Sequence, residues 1–152
     1  MYALFRLELI RGEGAPTAEL LSVDRQMKPE DLPVFGESSH AFRFRRLRRI
    51  GGITAALEEI WLDGSYARSI SIDDVPDSMY LFYKEHLGFW IARTEDRVSV
   101  ANTPDWAPTN WTLDKQTTCG YVERQSRDQQ GRLAEFSRTW FDPNKVQFVS
   151  RR

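Results

Sequence analysis

Five of the seven residues in 43–49, RFRRLRR, are arginine. A cluster this dense can neutralise the phosphates of a nucleic acid or grip one small anion, and the two uses need different surroundings. The whole chain carries 21 Lys and Arg against 22 Asp and Glu, with a formal net charge of −1 and a pI of about 6.1. A dedicated nucleic-acid binder is normally basic throughout. Neither a helix-turn-helix pattern nor a second basic patch accompanies the run, so the arginines read as a local feature rather than a DNA surface.

Side chains alternate across a strand, and AFRFRRLRRI (41–50) alternates too strictly for a helix. One face of 42–50 carries Phe42, Phe44, Arg46, Arg48 and Ile50; the other carries Arg43, Arg45, Leu47 and Arg49. The second face reads as solvated. The first is apolar at both ends with two arginines between, and a buried guanidinium is costly unless paired. Arg46 and Arg48 therefore call for a buried carboxylate or an anionic ligand, and their planar forks suit carboxylate or phosphate. Beyond the Gly51-Gly52 pair stand Glu58 and Glu59. A two-residue turn pairs Arg48 with Ala55 and puts Glu59 on the arginine face. A three-residue loop pairs Arg48 with Ala56 and Arg46 with Glu58. Periodicity leaves both registers open. The plainer alternative is an open sheet on which these arginines form ordinary surface ion pairs.

The elements that must position these residues are mostly strands. YALFRLELI (2–10) and ELLSVDR (19–25) are strand-like, separated by the breaker RGEGAPT. KPEDLPVFGESSH reads as loop, with room for a helical turn after Pro29. ITAALEEIWLD (53–63) has helical propensity, but the preceding strand and glycine pair make a hairpin an equal alternative. DSMYLFYKEHLG predicts a helix, capped by Asp77 or Ser78, striped by Met79, Phe82, Tyr83 and Leu87, and ended by Gly88. Residues 89–101 are strand-like, and NTPDWAPTNW is a loop able to hold a short helix. Residues 117–141 predict a long hairpin turning at DQQG, and KVQFVSR a last strand. The sum is an α+β domain, a mostly antiparallel β-sheet with a few flanking helices, spanning 1–152 as one domain.

The single cysteine, Cys119, leaves no intrachain disulfide and no cysteine-based zinc site, and His40 and His86 lack partners at ligand spacing. Neither metal nor cofactor is expected. No apolar run approaches the roughly 20 residues of a membrane span, and MYALFRLELI lacks the charged start of a signal peptide. The expected setting is the cytoplasm, with no membrane partner.

FRRLRRIGGITAALEEIWL resembles the start of the UTRA domain, the effector-binding half of HutC-subfamily GntR transcription regulators, which shares the chorismate-lyase fold. Arg46-Leu47-Arg48, Ala56-Leu57-Glu58 and Trp61-Leu62 match its opening hairpin. Ser78 and Tyr80 match its helix start, and Arg124, Gly131, Glu135, Phe141 and Phe148 fall at places in its closing hairpin. The likeness runs from about residue 15 to 150. Gly51-Gly52-Ile53-Thr54 departs from the usual Asp-Gly-x-Pro, and Phe141 stands where tyrosine is common.

Carried over position by position, the resemblance implies a ligand-binding set of Arg46, Arg48, Glu58, Ser78, Tyr80, Glu135 and Phe141, with no catalytic residue. The arginines would grip an anion, Ser78 would donate from a helix N-terminus, and the glutamates would accept hydroxyl or amine hydrogens. Against these stand plainer roles: an N-cap for Ser78, a cross-strand pair with Arg124 or Arg138 for Glu135, and core packing for Tyr80, Tyr121 and Phe141. The resemblance also implies a homodimer, and DNA binding only through a winged helix-turn-helix that does not appear in these residues. The chain is then an excised effector half or a stand-alone homologue. A chorismate-lyase-like enzyme on the same fold, or an interaction module using exposed Trp90, Trp106 and Trp111, are the alternatives.

Overall fold

The computed structural model describes residues 6–151. The strands are β1 (Leu7–Leu9), β2 (Pro16–Met27), β3 (His40–Ile50), β4 (Ile53–Asp63), β5 (Ile91–Asn102), β6 (Thr118–Asp128), β7 (Leu133–Phe141) and β8 (Val146–Phe148). Helix α1 (Met79–Phe82) is one turn long and widens into a π-helical turn over Tyr83–Leu87. Ser78 Oγ accepts from the Leu81 N–H at 3.3 Å, and Gly88 closes the element at φ 74°. Of the strand expected over 2–10, residues 2–5 lie outside the described residues and only Leu7–Leu9 pairs. The strand expected over 19–25 begins earlier, at Pro16.

β2 to β7 form one antiparallel sheet in the order β2-β3-β4-β7-β6-β5, while β1 and β8 pair with each other. The sheet is thus two consecutive meanders, β2-β3-β4 and β5-β6-β7, joined where β4 meets β7. Residues 53–63 are strand rather than helix because both neighbouring strands pair with them.

The hairpin register combines the two sequence alternatives. Gly51 and Gly52 both have positive φ, 55° and 80°, and make a two-residue turn, with Ile50 opposite Ile53 and Arg49 opposite Thr54. The register then shifts past Ala55, so that Arg48 faces Ala56 and Arg46 faces Glu58. The Ala55 carbonyl accepts the Asp142 N–H at 3.0 Å, which ties the bulge to the end of β7.

Each face of the sheet has two apolar patches with a polar belt between them. On the front, Phe42, Phe44, Ile60 and Leu62 pack under Phe82 and Tyr83 of the helical turns. At the other end Ile50, Ala56, Val122 and Phe141 pack under Leu7, Leu9 and Val146. On the back, Trp61 and Phe136 are covered by Leu32 and Phe35, and Leu47, Leu57 and Trp140 by Trp111. Between these back patches runs a ladder of alternating charge, Arg45–Glu59–Arg138–Glu123–Arg97, one residue per strand.

The back face corrects one expectation. Leu47, assigned to a solvated face, is fully buried, and Arg45 pairs with Glu59 at 3.0 Å and lies over the Trp106 ring. The cause is the segment 103–117, which forms successive turns rather than a helix and lays Trp106 and Trp111 on the sheet. Of the three tryptophans read as exposed, Trp111 is buried, Trp106 packs edge-on against Trp140, and only Trp90 is exposed.

Candidate ligand-binding site

The front belt is hollow because its central strand is small there. β7 presents the short side chains of Ser137 and Thr139, flanked by Ile60 and Glu58 on β4 and by Arg124 and Val122 on β6. The result is a cavity of about 110 Å³, roofed by Ser78 to Tyr80 at one side and by the β1–β8 pair at the other.

At the β3–β4 side, Glu58 Oε1 accepts from Arg46 Nε at 3.0 Å and Nη2 at 2.7 Å. Arg48 Nη1 reaches both Glu58 oxygens at 3.2 Å. The two guanidiniums are also aimed by backbone oxygens: Arg46 Nη1 donates to Asp77 O at 2.7 Å, and Arg48 Nε to Thr17 O at 2.9 Å. Arg46 and Arg48 are only 3% and 5% exposed, which removes the surface-pair alternative. Burial by itself raises the Glu58 pKa, but the charges of Arg48 and Arg46 and their hydrogen bonds outweigh it and bring the value down to about 2. Glu58 is therefore a fixed anion. Glu59 points to the back, where it accepts from Arg45 and from Trp61 Nε1.

At the β6–β7 side, Glu135 behaves oppositely. It is buried, and burial raises its pKa against hydrogen bonds from Tyr83 and Ser126. Oε1 accepts from Ser126 Oγ at 2.9 Å and Oε2 from the Tyr83 hydroxyl. Tyr80 OH shares a 2.9 Å hydrogen bond with Ser126 Oγ. Burial, then the Glu135 charge, keeps both tyrosines protonated well above their ordinary range. Glu135 is not the partner of Arg124 or Arg138: Arg124 binds Asp96, and Arg138 is on the back face.

Of the seven residues the resemblance implies, Arg46, Arg48, Glu58, Ser78, Tyr80 and Glu135 line this one cavity. Phe141 does not. It packs in the apolar patch beside Ala56 and Val122, with its ring against Gly120. The helix is one α-turn, so Ser78 is placed by its capping bond rather than by a long dipole. Sequence reasoning passed over Ser126, a serine in a strand with nothing to mark it, and read Tyr83 only as part of an apolar stripe. Arg124 stood out only through the family pattern. Among the described residues, no group of three His, Cys, Asp or Glu side chains is arranged to hold a metal ion.

A six-stranded antiparallel sheet with one face closed by short helical turns and a two-stranded sheet is the fold of GntR-family ligand-binding domains. The ligand-binding domain of a Bordetella bronchiseptica protein assigned to that family superposes with a TM-score of 0.83 at 17% identity, over 99% of this chain and 98% of that one. PhnF from Mycobacterium smegmatis superposes with a TM-score of 0.72 at 16% identity, over 91% of this chain and 63% of that one. At such identities the likeness is one of fold. Residues 12–147 match the UTRA domain, and the chain belongs to that family, the effector-binding domains of GntR-type transcription regulators. The chain is also 50% identical over 151 residues to the HTH-type transcriptional regulator SmoD of Agrobacterium fabrum, covering 99% of this chain. It spans 64% of that relative's length.

Proposed function

We propose that residues 1–152 act as one sensing unit for a small anionic metabolite, and that ligand binding modulates DNA binding by a winged helix-turn-helix of a HutC-type regulator. The observation that carries this reading is the convergence of Arg46 and Arg48 on the single carboxylate of Glu58 in the wall of a half-open cavity. Both guanidiniums are already desolvated and aimed, so an anion that enters meets donors whose ordering cost is met in the fold. The ligand acts by differential affinity for two states of the regulator, not by turnover. A non-enzymatic, cytoplasmic role agrees with the regulators it resembles.

The test is a thermal-shift screen of inorganic phosphate, sugar phosphates and organic acids. A true ligand at a hundred times its Kd stabilises by about 2.7 kcal/mol. The shift is expected to vanish in Arg46→Gln; a shift of equal size in that variant removes the anion-site reading. Turnover of chorismate would instead favour a lyase.

The homodimer belongs to the same reading, supported by β5. This edge strand exposes Val98 and Val100, at 52% and 70%, on one face. A two-fold axis at Ser99 would set Val98 of one copy against Val100 of the other, extending both sheets. Val100→Lys is expected to shift sedimentation toward the monomer. An unchanged dimer would place the interface elsewhere, and a monomeric parent protein would end the dimer reading.

A further inference from the structure

Arg124 stands on the wall of the cavity across from Arg46 and Arg48. It lies on β6, and Asp96, directly opposite on edge strand β5, holds it in a fork: Nε to Oδ1 at 2.6 Å and Nη2 to Oδ2 at 3.0 Å. Both side chains are 15% exposed. A guanidinium has five N–H donors, and Asp96 takes two along one edge. The plane is thereby fixed, and the remaining donors face away from the carboxylate, toward the cavity and the Tyr80 hydroxyl.

β4 and β7 lie between β3 and β6, so those two strands run roughly 14 Å apart, and Arg124 stands two residues along β6 from Val122, which shares the row of Arg46. Two long side chains leaning inward from that separation leave a small-molecule gap above Ser137 and Thr139. Arg124 is opposite Ser137, and Glu58 opposite Thr139. An occupant lying on these two residues has Glu58 and the Arg46–Arg48 pair that it bridges, two positive charges against one negative, at one end and Arg124 at the other. Next to Arg124 is Glu135, a buried acceptor. A donor and an acceptor therefore stand side by side at the far end. A second carboxylate there would meet Glu135, and a methyl group would leave both without a ligand partner. A hydroxyl or a carboxamide accepts from Arg124 and donates to Glu135.

We propose, resting on the anion-site reading above, that Arg124 is a ligand-contacting residue positioned by Asp96, and that with Glu135 it selects a compact anion whose opposite end is a neutral hydroxyl or carboxamide. The site is bipolar: charge is read at β3, and a donor–acceptor group is read at β6 and β7.

Calorimetry with three short acids tests this: butyrate, 4-hydroxybutyrate and succinate, each also in the five-carbon series. In the unmodified protein the hydroxy acid is expected to bind about ten-fold tighter than the alkyl acid, because only the hydroxyl can add a hydrogen bond from Arg124 and one to Glu135. It is also expected to outbind the diacid. In Arg124→Gln the ratio of hydroxy to alkyl acid should collapse toward one, and Asp96→Asn should lower it while Asp96→Glu restores it. Equal binding of hydroxy and alkyl acids, a preference for the diacid, or a ratio that survives Arg124→Gln overturns the inference. The comparison of acids on the unmodified protein stands even if a variant fails to fold. Failure of the underlying reading looks different: no acid binds, or alkyl-acid binding is unaffected by Arg46→Gln.

Discussion

Two glutamates on the front face meet opposite electrostatic fates, and this gives a pH signature. The Glu58 pKa is depressed from 4.5 to about 2, so its contribution to stability is fully present above pH 4.5 and lost as the pH falls to about 2. The Glu135 pKa is raised from 4.5. Its ionisation therefore lowers stability as the pH rises above 4.5. At neutral pH, Glu58→Gln is expected to cost about 3 kcal/mol, because it leaves two buried guanidiniums without their carboxylate. Glu135→Gln is expected to cost less and to flatten the decline on the alkaline side of 4.5. Denaturant titrations of both variants at several pH values check the pair; equal losses with parallel pH profiles would contradict it. The residue types at the site were legible in the sequence, since two arginines between Phe44 and Ile50 needed an anion. Which glutamate supplied it was not, because the answer turns on a bulge at Ala55, and nothing in an alanine announces a bulge.

The strands followed from alternation, and the helix from its capping serine and closing glycine. What sequence reasoning lacked was coverage. Leu47 alternates with arginines and so looked exposed, yet a distant, irregular segment places Trp111 on it. Irregular chain has no period, so its packing cannot be read from spacing. One close approach between elements was equally silent. A Cβ added to Gly120 of β6 would lie 2.1 Å from the Phe141 ring on β7. That glycine is what lets Phe141 lie flat in its patch, and it accounts for an aromatic that belongs to the core rather than to the cavity. Gly120→Ala is expected to cost about 1–3 kcal/mol by overpacking. Adding Phe141→Leu should recover part of the loss in chemical denaturation, and a purely additive double variant would show that the ring is not the obstacle.

Across the molecule, the site is divided between the two meanders. β2-β3-β4 supplies Arg46, Arg48 and Glu58; β5-β6-β7 supplies Arg124, Ser126 and Glu135. Hairpins within a meander close short loops, whereas β4 and β7 must find each other over a long stretch of chain, which is slow. The back-face ladder bears on that search, because Glu59 meets arginine on both sides only when Arg45 and Arg138 are both in register. A cavity that straddles this joint exists only after the joint has closed, so it is absent from any earlier state. An occupant then adds nothing to the speed of folding and acts wholly on the way out. Stopped-flow measurements with saturating ligand should show an unfolding limb displaced to slower rates over an unmoved folding limb. On the proposed reading, the ligand is then a timer as well as a signal: while it is bound, the domain outlasts one that stands empty.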